Sequence, residues 1–89
     1  MTVAAVNIEG DADWPVARLM GEIDLSNVDD LTGSVEAAVS NRALGVVLDL
    51  TDVTYLDSTG LRLIFRMLRK LQDRQQVLRL VVPEDALIL

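Results

Sequence analysis

The sequence predicts an α/β domain: a mixed sheet of about four strands with helices packed on one face, in the order β-β-α-β-α-β. Three observations predict it. Ala17, Leu19, Gly21, Ile23 and Leu25 fall on one parity, with Arg18, Met20, Glu22 and Asp24 on the other, which is the period of a strand with one buried face. Val46-Val47-Leu48-Asp49-Leu50 is nearly all apolar, as a central strand flanked by other strands would be. Leu61, Ile64, Phe65, Leu68 and Leu71 recur at helical spacing. Strands that alternate with helices imply a partly parallel sheet with crossover helices lying against it.

The elements follow in order. Val3–Ile8 is short and apolar-rich and reads as the first strand, closed by the turn cluster Glu9-Gly10-Asp11-Ala12-Asp13. After the alternating strand, Ser26-Asn27-Val28-Asp29 reads as a helix start. The Ser26 hydroxyl would accept from an early backbone N–H, and Asp29 and Asp30 suit the positive end of the helix dipole. Val28, Leu31, Val35 and Ala38 or Val39 then mark one apolar stripe, interrupted by Gly33 at a cost of about 1 kcal/mol relative to Ala. The segment from Asn41 to Gly45 closes this helix. Thr51–Asp57 reads as a loop between the central strand and the second helix, with Ser58 at the N-cap. Val77–Val82 is the last clear strand. Pro83-Glu84-Asp85 reads as the opening of a further helix that is incomplete, because Ala86-Leu87-Ile88-Leu89 supplies only about one turn.

Composition narrows the chemistry. Eighty-nine residues make one domain, and a hydrophobic share of 51% excludes a disordered tail. With no Cys and no His, thiolate nucleophiles, disulfides, ordinary zinc sites and histidine acid–base catalysis are all excluded. No Gly-rich phosphate loop is present, and no enzyme activity or cofactor is expected. A net charge of −6 argues against a nucleic-acid partner. The three aromatics, Trp14, Tyr55 and Phe65, form no stacking series, and Trp14 and Tyr55 are expected in partly buried positions. No apolar run approaches the roughly 20 residues needed to span a bilayer, so no membrane role is expected and a cytoplasmic setting fits. Charge is unevenly placed. Residues 1–57 hold 11 Asp/Glu against 2 Lys/Arg, whereas residues 58–89 hold 3 against 6. The chain turns locally basic at Ser58.

Two segments carry more information than the rest. One is Gly21-Glu22-Ile23-Asp24-Leu25 before an acidic helix start. The other is the run from Asp49 to Leu61, ending in Asp57-Ser58-Thr59-Gly60-Leu61. Together they resemble the STAS domain family, and within it the bacterial anti-sigma factor antagonists, over about residues 3 to 86. The family ordinarily continues with a further helix and often a last strand, so this chain is expected to lack both. The resemblance implies a specific function. In the family the serine matching Ser58 is phosphorylated by a partner that is both a serine kinase and an anti-sigma factor. The unphosphorylated antagonist binds that partner and frees a sigma factor, phosphorylation blocks the binding, and a phosphoserine phosphatase resets it. Asp24, Asp57, Ser58, Thr59, Gly60, Arg62 and Arg66 are the expected partner-binding residues. A second reading is a STAS-like scaffold or sensor module of a stress-sensing assembly or a transporter.

Each of these residues also has a plainer reading. Ser58 is a serviceable N-cap whether or not it is modified. Asp57 and Asp24 are either a shared binding edge or two solvated loop acids. Gly60 either lets a partner backbone approach or is tolerated at a helix end. Arg62, Arg66, Arg69 and Lys70 form a basic stripe that is either a solvated helix face or a partner-contact face. Thr59 is a second hydroxyl, with a place in the helix's first turn. Leu87-Ile88-Leu89 are expected to be exposed, where they would support self-association or strand exchange, and the oligomeric state is left open.

Overall fold

A computed structural model describes residues 4–83 of the chain. Its elements run β1 (Ala4–Gly10), β2 (Pro15–Ile23), α1 (Val28–Ala38), β3 (Gly45–Leu56), α2 (Ser58–Asp73) and β4 (Val77–Val81). The expected order β-β-α-β-α-β is what the chain adopts. Val3 lies outside the described residues, and so does the helix expected to open at Pro83, apart from Pro83 itself.

The four strands form one sheet in the order β1-β2-β3-β4. β1 and β2 make an antiparallel hairpin, and Asp11 shapes its turn by accepting from the backbone N–H groups of Asp13 and Trp14 at 3.0 and 2.8 Å. β2 pairs with β3, and β3 with β4, in parallel, so α1 and α2 serve as the two crossovers. One sheet face carries Ala17, Leu19 and Ile23 from β2 and Val46, Leu48 and Leu50 from β3. Val28, Leu31, Val35, Leu63, Ile64, Met67 and Leu71 of the helices close over it as a single core. The opposite face bears Arg18, held between Glu9 at 3.4 Å and Asp49 at 3.5 Å. It also bears Arg79, whose guanidinium lies 4.4 Å from the Trp14 ring centre.

Several details depart from the sequence expectation, each for a local reason. β3 does not stop at Leu50 but runs to Leu56, so Thr51–Leu56 is strand rather than loop. Two register irregularities, between Arg18 and Met20 and between Gly21 and Glu22, insert extra β3 residues opposite β2. The inward positions of β3 therefore step from Leu50 to Val53 to Leu56, and the period of two disappears. Gly21 sits at the second irregularity with φ +88°, a conformation that suits glycine.

The start of α1 is also different. Ser26 is not its cap, and Asn27 holds that position without a side-chain bond into the helix. The Ser26 hydroxyl instead donates to Asp24 Oδ1 at 2.6 Å, and Asn27 Nδ2 reaches back to the Glu22 carbonyl at 2.8 Å. β2 ends at Ile23, which leaves Leu25 in the turn with 78% of its surface exposed. Tyr55, expected to be partly buried, is exposed, whereas Trp14 is half-buried.

Helix α2 turns a different stripe inward from the one expected. Gly60, Leu63, Ile64, Met67 and Leu71 are buried, Leu61 and Leu68 are half-buried, and Phe65 is 65% exposed. Gly60 faces the Leu56 and Ile23 side chains so closely that a Cβ there would collide with Leu56 Cδ1. The start of the helix is thus seated tightly on the end of β3, and Phe65 lies on the face turned outward.

Candidate functional site

The site lies at the edge of the sheet where β2 and β3 end. Ile23 and Leu56 are paired in parallel register, so the residues that follow them, Asp24 and Asp57, emerge next to each other. The sequence expectation that these two acids share one end of the sheet matches this placement.

Each acid builds the turn that follows it. Asp24 Oδ1 accepts from the Ser26 N–H at 2.9 Å as well as from its hydroxyl, and the Asp24 carbonyl accepts from the Asn27 and Val28 N–H groups at 3.2 and 3.0 Å. Asp57 is the N-cap of α2, with Oδ1 accepting from the Thr59 N–H at 2.9 Å and the Gly60 N–H at 3.1 Å. This moves the cap one residue upstream of the expectation. Ser58 is the first helical residue and its hydroxyl is not needed to hold the helix end. An exposed serine hydroxyl on a firmly capped helix is open to modification without loss of the cap.

Gly60, expected at a partner surface, is buried and faces inward against Leu56 and Ile23. Thr59 is half-buried beside a groove between α1 and α2. Val28 and Leu63 line the floor of that groove, Leu25 one side, and Arg62 and Arg66 the other, with Asp29 as its one carboxylate. Lys70, farther along the basic stripe, is engaged with Glu36 of α1 at 2.8 Å. Among the described residues Arg62, Arg66 and Arg69 make no ion pair. The groove thus joins an apolar floor to two uncommitted guanidinium groups within a turn or two of Ser58. Sequence reading placed both arginines near Ser58 but missed Leu25, because it assigned that residue to the buried face of a longer strand.

Comparison with known proteins gives the arrangement a family. The STAS domain profile matches residues 5–88, and the chain belongs to the STAS domain family. Among solved structures, an anti-sigma factor antagonist from Mycobacterium paratuberculosis superimposes with a TM-score of 0.78 at 25% identity, over 90% of this chain and 68% of that one. Mglu gives a TM-score of 0.77 at 26% identity, over 91% of this chain but only 20% of its own length. The anti-sigma factor antagonist SpoIIAA in its unphosphorylated form shares the fold, with a TM-score of 0.74 at 21% identity over 91% of this chain and 72% of that one. A search of curated protein sequences found no match. Among the described residues no helix is long and apolar enough to cross a membrane.

Proposed function

We propose that this chain is an anti-sigma factor antagonist whose affinity for its partner is controlled by phosphorylation of Ser58. The partner is an anti-sigma factor with serine kinase activity. It is bound when Ser58 is unmodified, released when Ser58 carries phosphate, and made available again by a phosphoserine phosphatase. The chain performs no catalysis of its own, and it acts in the cytoplasm on sigma-factor-dependent transcription under stress.

The observation that carries this reading is the exposed Ser58 at position one of a helix capped by its neighbour Asp57. Around it, Asp24, Asp57, Thr59, Arg62 and Arg66 present a charged and polar surface to the partner beside the apolar floor of the groove, whereas Gly60 supports that surface from below. A phosphate adds a charge of about −1.5 to −2 next to the Asp57 carboxylate. A partner surface that closes over a neutral hydroxyl offers no counter-charge of its own and would then have to desolvate a bulky dianion, which costs several kcal/mol, and each 1.4 kcal/mol is tenfold in affinity. The likeness to the mycobacterial antagonist at 25% identity supports the same assignment.

The test is binding to the host's anti-sigma factor kinases by calorimetry, together with phosphosite mapping by mass spectrometry in resting and stressed cells. Ser58→Asp is expected to lose binding by at least about tenfold and Ser58→Ala to keep it. Equal binding by both variants overturns the reading. The second reading, a scaffold or sensor module within a larger assembly or a transporter, draws on the match to a fifth of the length of Mglu. It is favoured if Ser58 is unmodified under every condition while the chain stays bound to a partner.

A further inference from the structure

A phosphate on Ser58 needs partners for its oxygens, and the end of α2 has few to offer. Asp57 Oδ1 already accepts from the Thr59 and Gly60 N–H groups, and the Leu61 N–H is bonded to the Asp57 carbonyl at 3.1 Å. Of the first four N–H groups in the helix, only that of Ser58 itself remains. The familiar capture of phosphate by free helix-end donors is therefore closed here. The adjoining Asp57 carboxylate adds repulsion.

A complementary group stands one turn along the same helix. Residues four apart on a helix are neighbours, and an anion placed N-terminal to the cation is the favourable order at that spacing. Ser58 and Arg62 stand in that relation, and both are exposed. Arg62 has no ion pair among the described residues, not even with Asp29 across the groove they share. Arg66 lines the same groove but stands eight residues from Ser58, two turns down the helix. Lys70 is farther still and is committed to Glu36.

We infer that Arg62 is the intramolecular partner of phosphate on Ser58, held by charge-assisted hydrogen bonds from its guanidinium to the phosphate oxygens. The inference rests on Ser58 being the modified residue. A planar guanidinium matches two phosphate oxygens at once, which a point charge does not. Its consequence is that phosphorylation acts twice on the same surface. It places a dianion at Ser58, and it draws Arg62 out of the α1–α2 groove, so that a docked partner's carboxylates lose one of the two cations offered there.

The test needs no partner. Phosphoserine is incorporated genetically at position 58 of the full chain, and the phosphate is titrated by phosphorus NMR in the parent protein and in Arg62→Gln and Arg66→Gln backgrounds. A free phosphoserine has its second pKa at about 6. Removing Arg62 is expected to raise the value by about half a unit at low salt, an effect that shrinks at high salt, and removing Arg66 to change it much less. An unchanged titration in Arg62→Gln overturns the inference, and so does an equal rise in Arg66→Gln, which would mean a diffuse field rather than a specific pair. Amide spectra of the unphosphorylated variants check that each is folded. Because the phosphate is installed synthetically, a failed pairing leaves the phospho-switch reading standing, and an unmodified Ser58 in cells leaves the pairing measurement intact.

Discussion

Ile23 and Leu56 are the last paired residues of two neighbouring parallel strands, and this register sets Asp24 and Asp57 side by side at the sheet edge. Both acids turn the chain from strand to helix by offering a carboxylate oxygen to backbone N–H groups. A negatively charged rim beside Ser58 is thus a by-product of how the two crossovers begin. Three predictions follow from the contacts around this edge and on the open face of the sheet.

Asp57 supplies the acceptor for two N–H groups at the start of α2. Asp57→Ala is expected to destabilise the domain by about 1 kcal/mol, within the usual range for loss of a cap, and Asp57→Asn by less because its amide oxygen still accepts. Urea denaturation of the three proteins measures this. A neutral Asp57→Ala would show that α2 does not depend on the cap.

Gly60 and Gly33 are both helical but differ in surroundings. A Cβ at Gly60 would run into Leu56 Cδ1 and come within 2.9 Å of Leu56 Cγ, whereas a Cβ at Gly33 meets nothing within 4 Å. Gly60→Ala should cost roughly 1–3 kcal/mol through overpacking. Gly33→Ala should gain about 0.5–1 kcal/mol from helix propensity. Opposite shifts in melting temperature are the expected outcome. A stabilised Gly60→Ala would contradict the close seating of α2 on β3.

Asp49 on the open sheet face is held below the ordinary carboxylate value of 3.8, first by the hydrogen bond from the Thr51 hydroxyl, then by the Thr51 N–H, with Arg18 adding to it against the opposing effect of burial. Because folding depresses this pKa, the unfolded chain takes up the proton at higher pH than the folded one. The associated stability is present above about pH 4 and is lost as pH falls through the folded value. Thr51→Val removes the hydroxyl donor and keeps the backbone one. Asp49 should then titrate closer to 3.8, as followed by carboxyl-carbon NMR, and acid unfolding should begin at higher pH. A titration unmoved by the substitution would remove Thr51 as the cause.

Much of the fold was legible because the informative segments obey one period at a time. The alternation from Ala17 to Ile23 on β2 and the apolar run at Val46–Leu50 on β3 declared themselves as strands. The second half of β3 did not, since the extra residues opposite β2 replace a step of two with steps of three between Leu50, Val53 and Leu56. The rotation of α2 was also hidden. Phe65 is as apolar as Ile64 or Leu68, and the inward stripe of Gly60, Leu63, Ile64, Met67 and Leu71 emerges only from the packing of α2 on the sheet. Asp57 and Ser58 are both good capping residues, so sequence could place the helix start but not say which of them closes it. The basic stripe was visible as a pattern, whereas the engagement of Lys70 with Glu36 required the packing of α2 on α1.

The edge strand β4 has a consequence for colloidal behaviour. β3 lies along one side of it, and among the described residues no strand lies along the other. Val77, Leu80 and Val81 on it, and Val82 just beyond, are all exposed, which makes a short apolar ribbon whose outer edge meets no strand among the described residues. Such a ribbon is a template for strand addition by other chains, and proteins guard it with a charge placed within the run. Arg79 is that charge. Its seat over the Trp14 ring fixes it to the sheet face, so the guard stays at the middle of the strand instead of drifting into solvent. A chain carrying an uncharged residue there would keep its core intact and yet lose that barrier to self-association as its concentration rises.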